Sequence, residues 1–114
     1  DTMCDELGVK HLIHSGKNFN SSHHLYLTRI PGISDETRRE IIIKLAERGV
    51  NTNVHYKPLP MMTAYKEMGW DIKDFPNAYA YYENLITLPL HTKLSDEDVE
   101  YVIENYINVV RKYI

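Results

Sequence analysis

Cysteine, net charge and long apolar runs are all scarce in this chain of 114 residues. Its single cysteine, Cys4, excludes an internal disulfide framework, fits a reducing cytosol and is interpreted as a spare thiol near a terminus. No apolar run approaches the roughly 20 residues that a membrane-spanning helix needs. A net charge of −3 and a pI near 6.1 provide no basic surface for a nucleic acid backbone. We therefore expect a cytoplasmic protein that binds neither nucleic acid nor membrane.

Motifs for a complete active site are missing as well. The five glycines are scattered, so the chain has no glycine-rich phosphate loop. Serines precede histidines in the run SSHH at residues 21–24, but sequence neighbours rarely form a catalytic triad and no nucleophile elbow is present. His11 and His14 are three residues apart, as on one face of a helix, yet the six histidines lack the spacing of a zinc site. We expect neither a metal site nor a nucleophile.

One folded domain is what the length and composition predict. Hydrophobic residues make up 43% of the chain and charged residues 25%, which is ordinary for a globular protein. The start at Asp1 suggests a fragment of a longer protein or a trimmed N-terminus. Residues 1–20 are polar and weakly patterned, so we expect them to form an N-terminal connecting segment and residues 21–114 to form the domain.

Two predicted strands flank a helix in the first half of the chain. Residues 23–30 alternate as a strand does, up to the Pro31-Gly32 stop. Ser34 is a favourable N-cap, and Gly49 a favourable C-terminal end, for the helix between them. Residues 50–56, which are rich in β-branched side chains, predict the second strand.

The second half combines short helices, one strand and a long helix. The short helices and the third strand are expected at residues 61–68, 78–84 and 85–88. Ser95 and Asp98 have the spacing of a capping box, and apolar residues recur at helical spacing behind it. We therefore predict an α+β fold: a two-layer sandwich with helices packed on one face of a small, mostly antiparallel three-stranded sheet.

His55 and Tyr56 are the candidate ligand-binding residues. They follow the second predicted strand, and the end of a strand holds side chains firmly beside an open loop. An imidazole donates or accepts a proton near neutral pH, and a phenol adds a hydroxyl to an apolar ring. The alternative is that Tyr56 packs in the core and His55 caps a loop. Tyr79 and Tyr82 share one face of a predicted helix and either pack in the core or form an interface.

Six short motifs follow one another along the chain. They are SHHLY (22–26), GVNTNVHYKPL (49–59), AY (64–65), DFPNA (74–78), LPL (88–90) and SDED (95–98). In this order they resemble the C-terminal small domain of the DegT/DnrJ/EryC1/StrS family of sugar aminotransferases. The resemblance covers roughly Ser21 to the C-terminus. One departure is Pro60, where relatives often have a histidine.

The resemblance implies a fold-type I enzyme that uses pyridoxal phosphate (PLP). Such an enzyme moves an amino group from glutamate or glutamine to a nucleotide-linked keto-sugar, in the synthesis of cell-surface polysaccharides or antibiotic sugars. The resemblance places the Schiff-base lysine in a large domain of the same chain, so none of the lysines from Lys17 to Lys112 is a candidate. It also implies a homodimer, and it implies that His55 and Tyr56 face the cofactor and substrate at the domain boundary. We expect this segment to be inactive alone and to hold no cofactor.

Two other interpretations remain open. The chain fits a self-contained α+β regulatory module that binds a small molecule, or an assembly module that associates through its tyrosine helix or final helix. Several hundred preceding residues that contain a PLP lysine would favour the enzyme over either module.

Overall fold

The computed structural model describes all 114 residues and centres on a three-stranded antiparallel sheet. The helices are α1 (Thr2–Leu7), α2 (Asp35–Ala46), α3 (Thr63–Glu67), α4 (Pro76–Tyr82) and α5 (Asp96–Val110), with 3₁₀ turns at Leu59–Met61 and Ile72–Asp74. The strands are β1 (Lys10–His11), β2 (Ser15–Gly16), β3 (Phe19–Asn20), β4 (Tyr26–Arg29) and β5 (Leu85–Leu88). No helix has both the length and the apolar character needed to cross a bilayer.

The sheet has the order β1-β4-β5, and the predicted α+β class is confirmed. Tyr26 pairs with Leu88, and Arg29 pairs with Leu85, so the whole of β5 lies against β4. Strands β2 and β3 form a separate two-stranded hairpin. All four residues of β5 are buried, so this strand lies in the core of the domain.

The predicted second strand at residues 50–56 is wrong. Only Asn53 pairs there, through two backbone hydrogen bonds with Thr87 of 3.1 and 2.7 Å. The ladder stops because the Asn53 side chain accepts the N–H of Val54 at 2.7 Å, which turns the chain toward Pro58 instead of along β5. The third strand of the sheet is β1, which lies in the segment before residue 20.

The weakly patterned segment 1–20 therefore contains regular structure. It holds α1, β1 and the β2–β3 hairpin, and it contributes four buried residues to the core: Met3, Cys4, Leu7 and Val9. A six-residue helix and two-residue strands are too short to show a hydrophobic period. The division at residue 20 into a connecting segment and a domain remains a prediction.

Helices α1, α2 and α5 pack together over one face of the sheet. Thr28 of β4 and Tyr106 of α5 meet there, both fully buried, with their hydroxyl oxygens 2.9 Å apart. The predicted capping box is present, because the N–H of Ser95 donates to the Asp98 carboxylate and the N–H of Asp98 donates to the Ser95 hydroxyl. Gly49 follows α2 at φ +76°, a conformation that glycine adopts without strain.

Candidate functional site

A small polar cleft lies on the sheet face opposite α5. Residues alternate along a strand, so Thr28 and its partner Ile86 face the helices while Thr87 faces the other way. The cleft has a volume of about 160 Å³. Its polar lining consists of His24, Asn51, Asn53, His55 and Thr87. No carboxylate lines it, so it suits a neutral or anionic group.

A hydrogen bond to Thr87 of strand β5 holds His55 at this cleft. Its Nδ1 lies 3.0 Å from the hydroxyl oxygen of Thr87, and its side chain is half-buried. The ring of Tyr56 stands edge-on to the imidazole, with the ring centres 4.7 Å apart at 80°. Tyr56 is 67% exposed, so the alternative interpretation in which it packs in the core is wrong. The structure brings both sequence-predicted residues together at an accessible surface.

The other histidines form no comparable site. His11 lies on β1 and not on a helix, so His11 and His14 do not share a helical face. His14 Nδ1 lies 2.7 Å from the Ser21 hydroxyl, and its ring stacks on that of His23 at 5.0 Å. No three His, Cys, Asp or Glu side chains are grouped as metal ligands.

The tyrosines of α4 pack at the end of their helix. Tyr79 and Tyr82 share a face, as predicted, with ring centres 6.5 Å apart. The guanidinium of Arg38 lies 4.4 Å from the ring centre of buried Tyr82, and that of Arg29 lies 4.4 Å from the ring centre of Tyr81. Both arginines also donate hydrogen bonds to carbonyls in α4, which is favourable at the negative end of a helix dipole. They hold the chain just before β5, and so support the strand that carries Thr87.

Cys4 and Tyr26 are neighbouring ionisable groups on the helix-covered face, and both have shifted pKa values. Burial raises the pKa of the Cys4 thiol and that of the Tyr26 phenol, whose sulfur and oxygen lie 3.9 Å apart. Cys4 is fully buried, so it is an unreactive thiol at neutral pH.

A larger cavity of about 470 Å³ lies between α1 and α5. It is mostly apolar, and its polar side chains are those of Asp1, Thr2, Glu6 and Tyr26. It shares residues 88–90 with the small cleft but contains neither His55 nor Tyr56. Within it the Tyr26 hydroxyl donates a hydrogen bond of 2.7 Å to the Asp1 carboxylate.

Sequence reasoning missed most of the cleft. Thr87 carried a signal, since it is the one polar residue in a strand that otherwise reads Leu85-Ile86-Leu88. Asn51 and Asn53 alternate just before His55, which places both on one side of an extended chain. Nothing in the sequence connects His24 with them, because it comes from the start of β4, which lies on the other side of β5 from Asn53.

Comparison with known proteins identifies the family of the chain. The sequence model of the DegT/DnrJ/EryC1/StrS aminotransferase family matches residues 3–106 of this chain. The chain is 38% identical over 95 residues to the spore coat polysaccharide biosynthesis protein SpsC of Bacillus subtilis, covering 77% of this chain and 23% of SpsC. It is 30% identical over 94 residues to the dTDP-4-dehydro-2,3,6-trideoxy-D-glucose 4-aminotransferase of Saccharopolyspora spinosa, covering 82% of this chain and 23% of that protein.

A solved structure extends the match to the whole chain. The putative sugar aminotransferase Spr1654 of Streptococcus pneumoniae, in its PMP form, superposes with a TM-score of 0.95 at 50% identity. The match covers 100% of this chain and 29% of the pneumococcal one. The protein therefore belongs to the DegT/DnrJ/EryC1/StrS aminotransferase family, and the chain spans about a quarter of the length of the relatives it matches.

The pneumococcal protein is also known in a PLP form, which indicates the cofactor of full-length members of the family. The residues of this chain do not by themselves fit PLP. Every lysine of the chain is exposed, and none lines the cleft beside His55. A Schiff-base lysine is instead expected to be enclosed next to its cofactor.

Proposed function

We propose that residues 21–114 are the C-terminal small domain of a PLP-dependent aminotransferase. In the full-length protein an amino group would pass from glutamate or glutamine to a nucleotide-linked keto-sugar. The observation that carries this proposal is the superposition of the whole chain, at 50% identity, on a sugar aminotransferase. The Saccharopolyspora relative is named as an aminotransferase of a dTDP-linked 4-dehydro sugar, which supports the substrate class.

The part that this chain would play is binding and orientation. PLP, held by the large domain of the same polypeptide, supplies the electron sink for the transfer. His55 offers a hydrogen-bonding imidazole from a loop that Thr87 attaches to β5, and Tyr56 offers an exposed ring and hydroxyl beside it. Together these groups would bind the substrate and exclude water from the reacting atoms.

Exposed apolar side chains support a large domain as the neighbour of this surface. Five of them occur within fifteen residues that start at the candidate site: Tyr56, Leu59, Met62, Met68 and Trp70. Met68 is 72% exposed and Trp70 51%, although both are residues that proteins normally cover. We propose that the large domain covers this surface, and that the full-length enzyme is a cytoplasmic homodimer.

The test is to assay the full-length gene product beside the 114-residue chain. We expect glutamate-dependent amination of dTDP- or UDP-linked 4-keto-6-deoxy sugars by the PLP-loaded full-length protein only. His55→Ala should raise KM for the sugar nucleotide about tenfold, because one hydrogen bond to substrate contributes about 1–1.5 kcal/mol. His14→Ala, which removes an imidazole away from the cleft, is the matched control. Turnover by the 114 residues alone, or an unchanged KM in His55→Ala, would contradict the proposal.

The apolar cavity between α1 and α5 is the feature that the regulatory-module alternative would use. A volume of about 470 Å³ suits a small ligand. That alternative predicts a complete gene that starts near Asp1, whereas the enzyme requires a long preceding coding region.

A further inference from the structure

Thr87 makes three hydrogen bonds with the segment that carries His55. Its backbone N–H and C=O both pair with Asn53, at 2.7 and 3.1 Å, and its hydroxyl oxygen lies 3.0 Å from His55 Nδ1. Thr87 is 4% exposed and lies within the most deeply buried strand of the protein. The loop that carries His55 is therefore attached to the core at this residue.

The hydroxyl proton of Thr87 has one acceptor. A buried hydroxyl donates its proton to a partner wherever a partner is within reach. His55 Nδ1 is the only hydrogen-bond partner of the Thr87 hydroxyl, whereas the Asn53 side-chain oxygen accepts the N–H of Val54. Thr28, on the neighbouring strand, shows the contrast, because its hydroxyl donates to the carbonyl of Ile86.

The direction of this hydrogen bond decides the protonation of the other ring nitrogen. A neutral imidazole carries one proton, so a ring whose Nδ1 accepts carries its proton on Nε2. The Nε2 atom of His55 makes no hydrogen bond within the chain. The only buried side-chain polar atoms without partners are Arg38 Nε and Thr52 Oγ1, so Nε2 is accessible to a ligand.

We propose that Thr87 is a positioning residue that holds neutral His55 as the Nε2–H tautomer, so that the imidazole presents a hydrogen-bond donor to the cleft. The site then selects an acceptor oxygen on its ligand, such as a carbonyl, carboxylate or phosphate oxygen, and discriminates against a donor. That the ligand is a nucleotide-linked sugar rests on the proposed function. The tautomer itself does not, since it follows from the hydrogen bonds of this chain.

The test is nitrogen NMR of the 114-residue chain with ¹⁵N-labelled histidine. The spectra are recorded at pH 8.5, and the chemical shifts of the two ring nitrogens report which one carries the proton. In the wild type we expect the His55 Nδ1 resonance at a pyridine-type position and the Nε2 resonance at a pyrrole-type position. In Thr87→Val both should move toward the averaged values of a solvated imidazole.

Two further variants make the result decisive. Thr87→Ser keeps the hydroxyl and should keep the wild-type shifts. Thr28→Val removes a buried strand hydroxyl from the opposite face and should leave the His55 shifts unchanged even if it lowers stability. The pairing of Thr87 with Asn53 uses backbone atoms, so Thr87→Val retains it. If Thr87→Val does not fold, the wild type and Thr87→Ser still decide the matter.

A pyrrole-type Nδ1 in the wild type, or equal shifts in the wild type and Thr87→Val, would overturn the proposal. Neither outcome would bear on whether the full-length protein is an aminotransferase. In that full-length protein Thr87→Val should raise KM for the sugar nucleotide by up to tenfold with kcat little changed, and Thr87→Ser should restore it. A loss confined to kcat would also contradict a role in positioning a binding group.

Discussion

The buried hydrogen-bond chain from Tyr106 through Thr28 to the carbonyl of Ile86 makes a sharp prediction about stability. The Tyr106 hydroxyl lies 2.9 Å from that of Thr28, which donates to the Ile86 carbonyl at 2.9 Å. Because Thr28 donates to the carbonyl, Tyr106 must donate to Thr28. Tyr106→Phe removes the last donor and leaves every other group paired, so it should cost about 1 kcal/mol.

Removing the middle of the chain should cost more. Thr28→Val deletes both hydrogen bonds of the Thr28 hydroxyl and leaves the buried Tyr106 hydroxyl without an acceptor, for a total of about 2–4 kcal/mol. Once Thr28 is gone, Tyr106→Phe removes that unpaired hydroxyl and should be neutral or stabilising. The double variant should therefore be no less stable than Thr28→Val alone, which is a coupling of about 1 kcal/mol or more.

Urea unfolding of the wild type, both single variants and the double variant measures this coupling directly. Tyr101→Phe is the control, because Tyr101 lies on the same helix and donates to the carbonyl of Arg48 from a position 52% exposed. It should change the free energy of unfolding by less than about 0.5 kcal/mol. Additive costs for Thr28→Val and Tyr106→Phe would refute the argument, since they would mean that the two hydroxyls do not depend on each other.

Two predictions concern pH. Burial raises the pKa of Tyr106 above its ordinary value of 10.0, so its contribution to stability is complete below about pH 10 and is lost as the pH rises toward the folded-state pKa. Tyr106→Phe should flatten the alkaline fall in denaturation midpoint, and an unchanged fall would contradict this. Hydrogen bonds from the Ser95 backbone and side chain lower the pKa of Asp98 below 3.8, so its contribution is complete above pH 3.8 and is lost as the pH falls through the lower folded-state pKa. Asp98→Asn should flatten the acid fall while Asp96→Asn, in the same helical turn, should not; equal acid profiles for both would argue against it.

Local signals in the sequence predicted the helix ends that are formed by residues close together in the chain. Ser34 caps α2, Gly49 ends it with a positive φ, and Ser95 and Asp98 form the reciprocal cap of α5. The two caps join residues three positions apart, and the positive φ belongs to Gly49 alone. That is why a pattern of a few letters was enough to predict them.

Elements that depend on a distant partner were predicted poorly. Residues 50–56 have the composition of a strand, yet only Asn53 pairs with the free edge of β5, because the chain turns away from that strand directly after Asn53. The two residues of β1 carry no pattern of their own and become a strand only because β4 offers a free edge. Strand propensity measures how well a side chain suits a sheet, and the rest of the fold decides whether a sheet edge is available.

The sequence by itself determined the two ends of α2, the start of α5, the α+β class and, through its ordered motifs, the choice of His55 and Tyr56 as candidates. Only the tertiary structure decided what holds them. The hydroxyl that orients His55 belongs to Thr87, 32 residues further along the chain, and His24 reaches the same cleft from the start of β4. Hydrogen bonds across a sheet join residues by the register of the strands. That register depends on how the whole core packs, so no local run of letters specifies it.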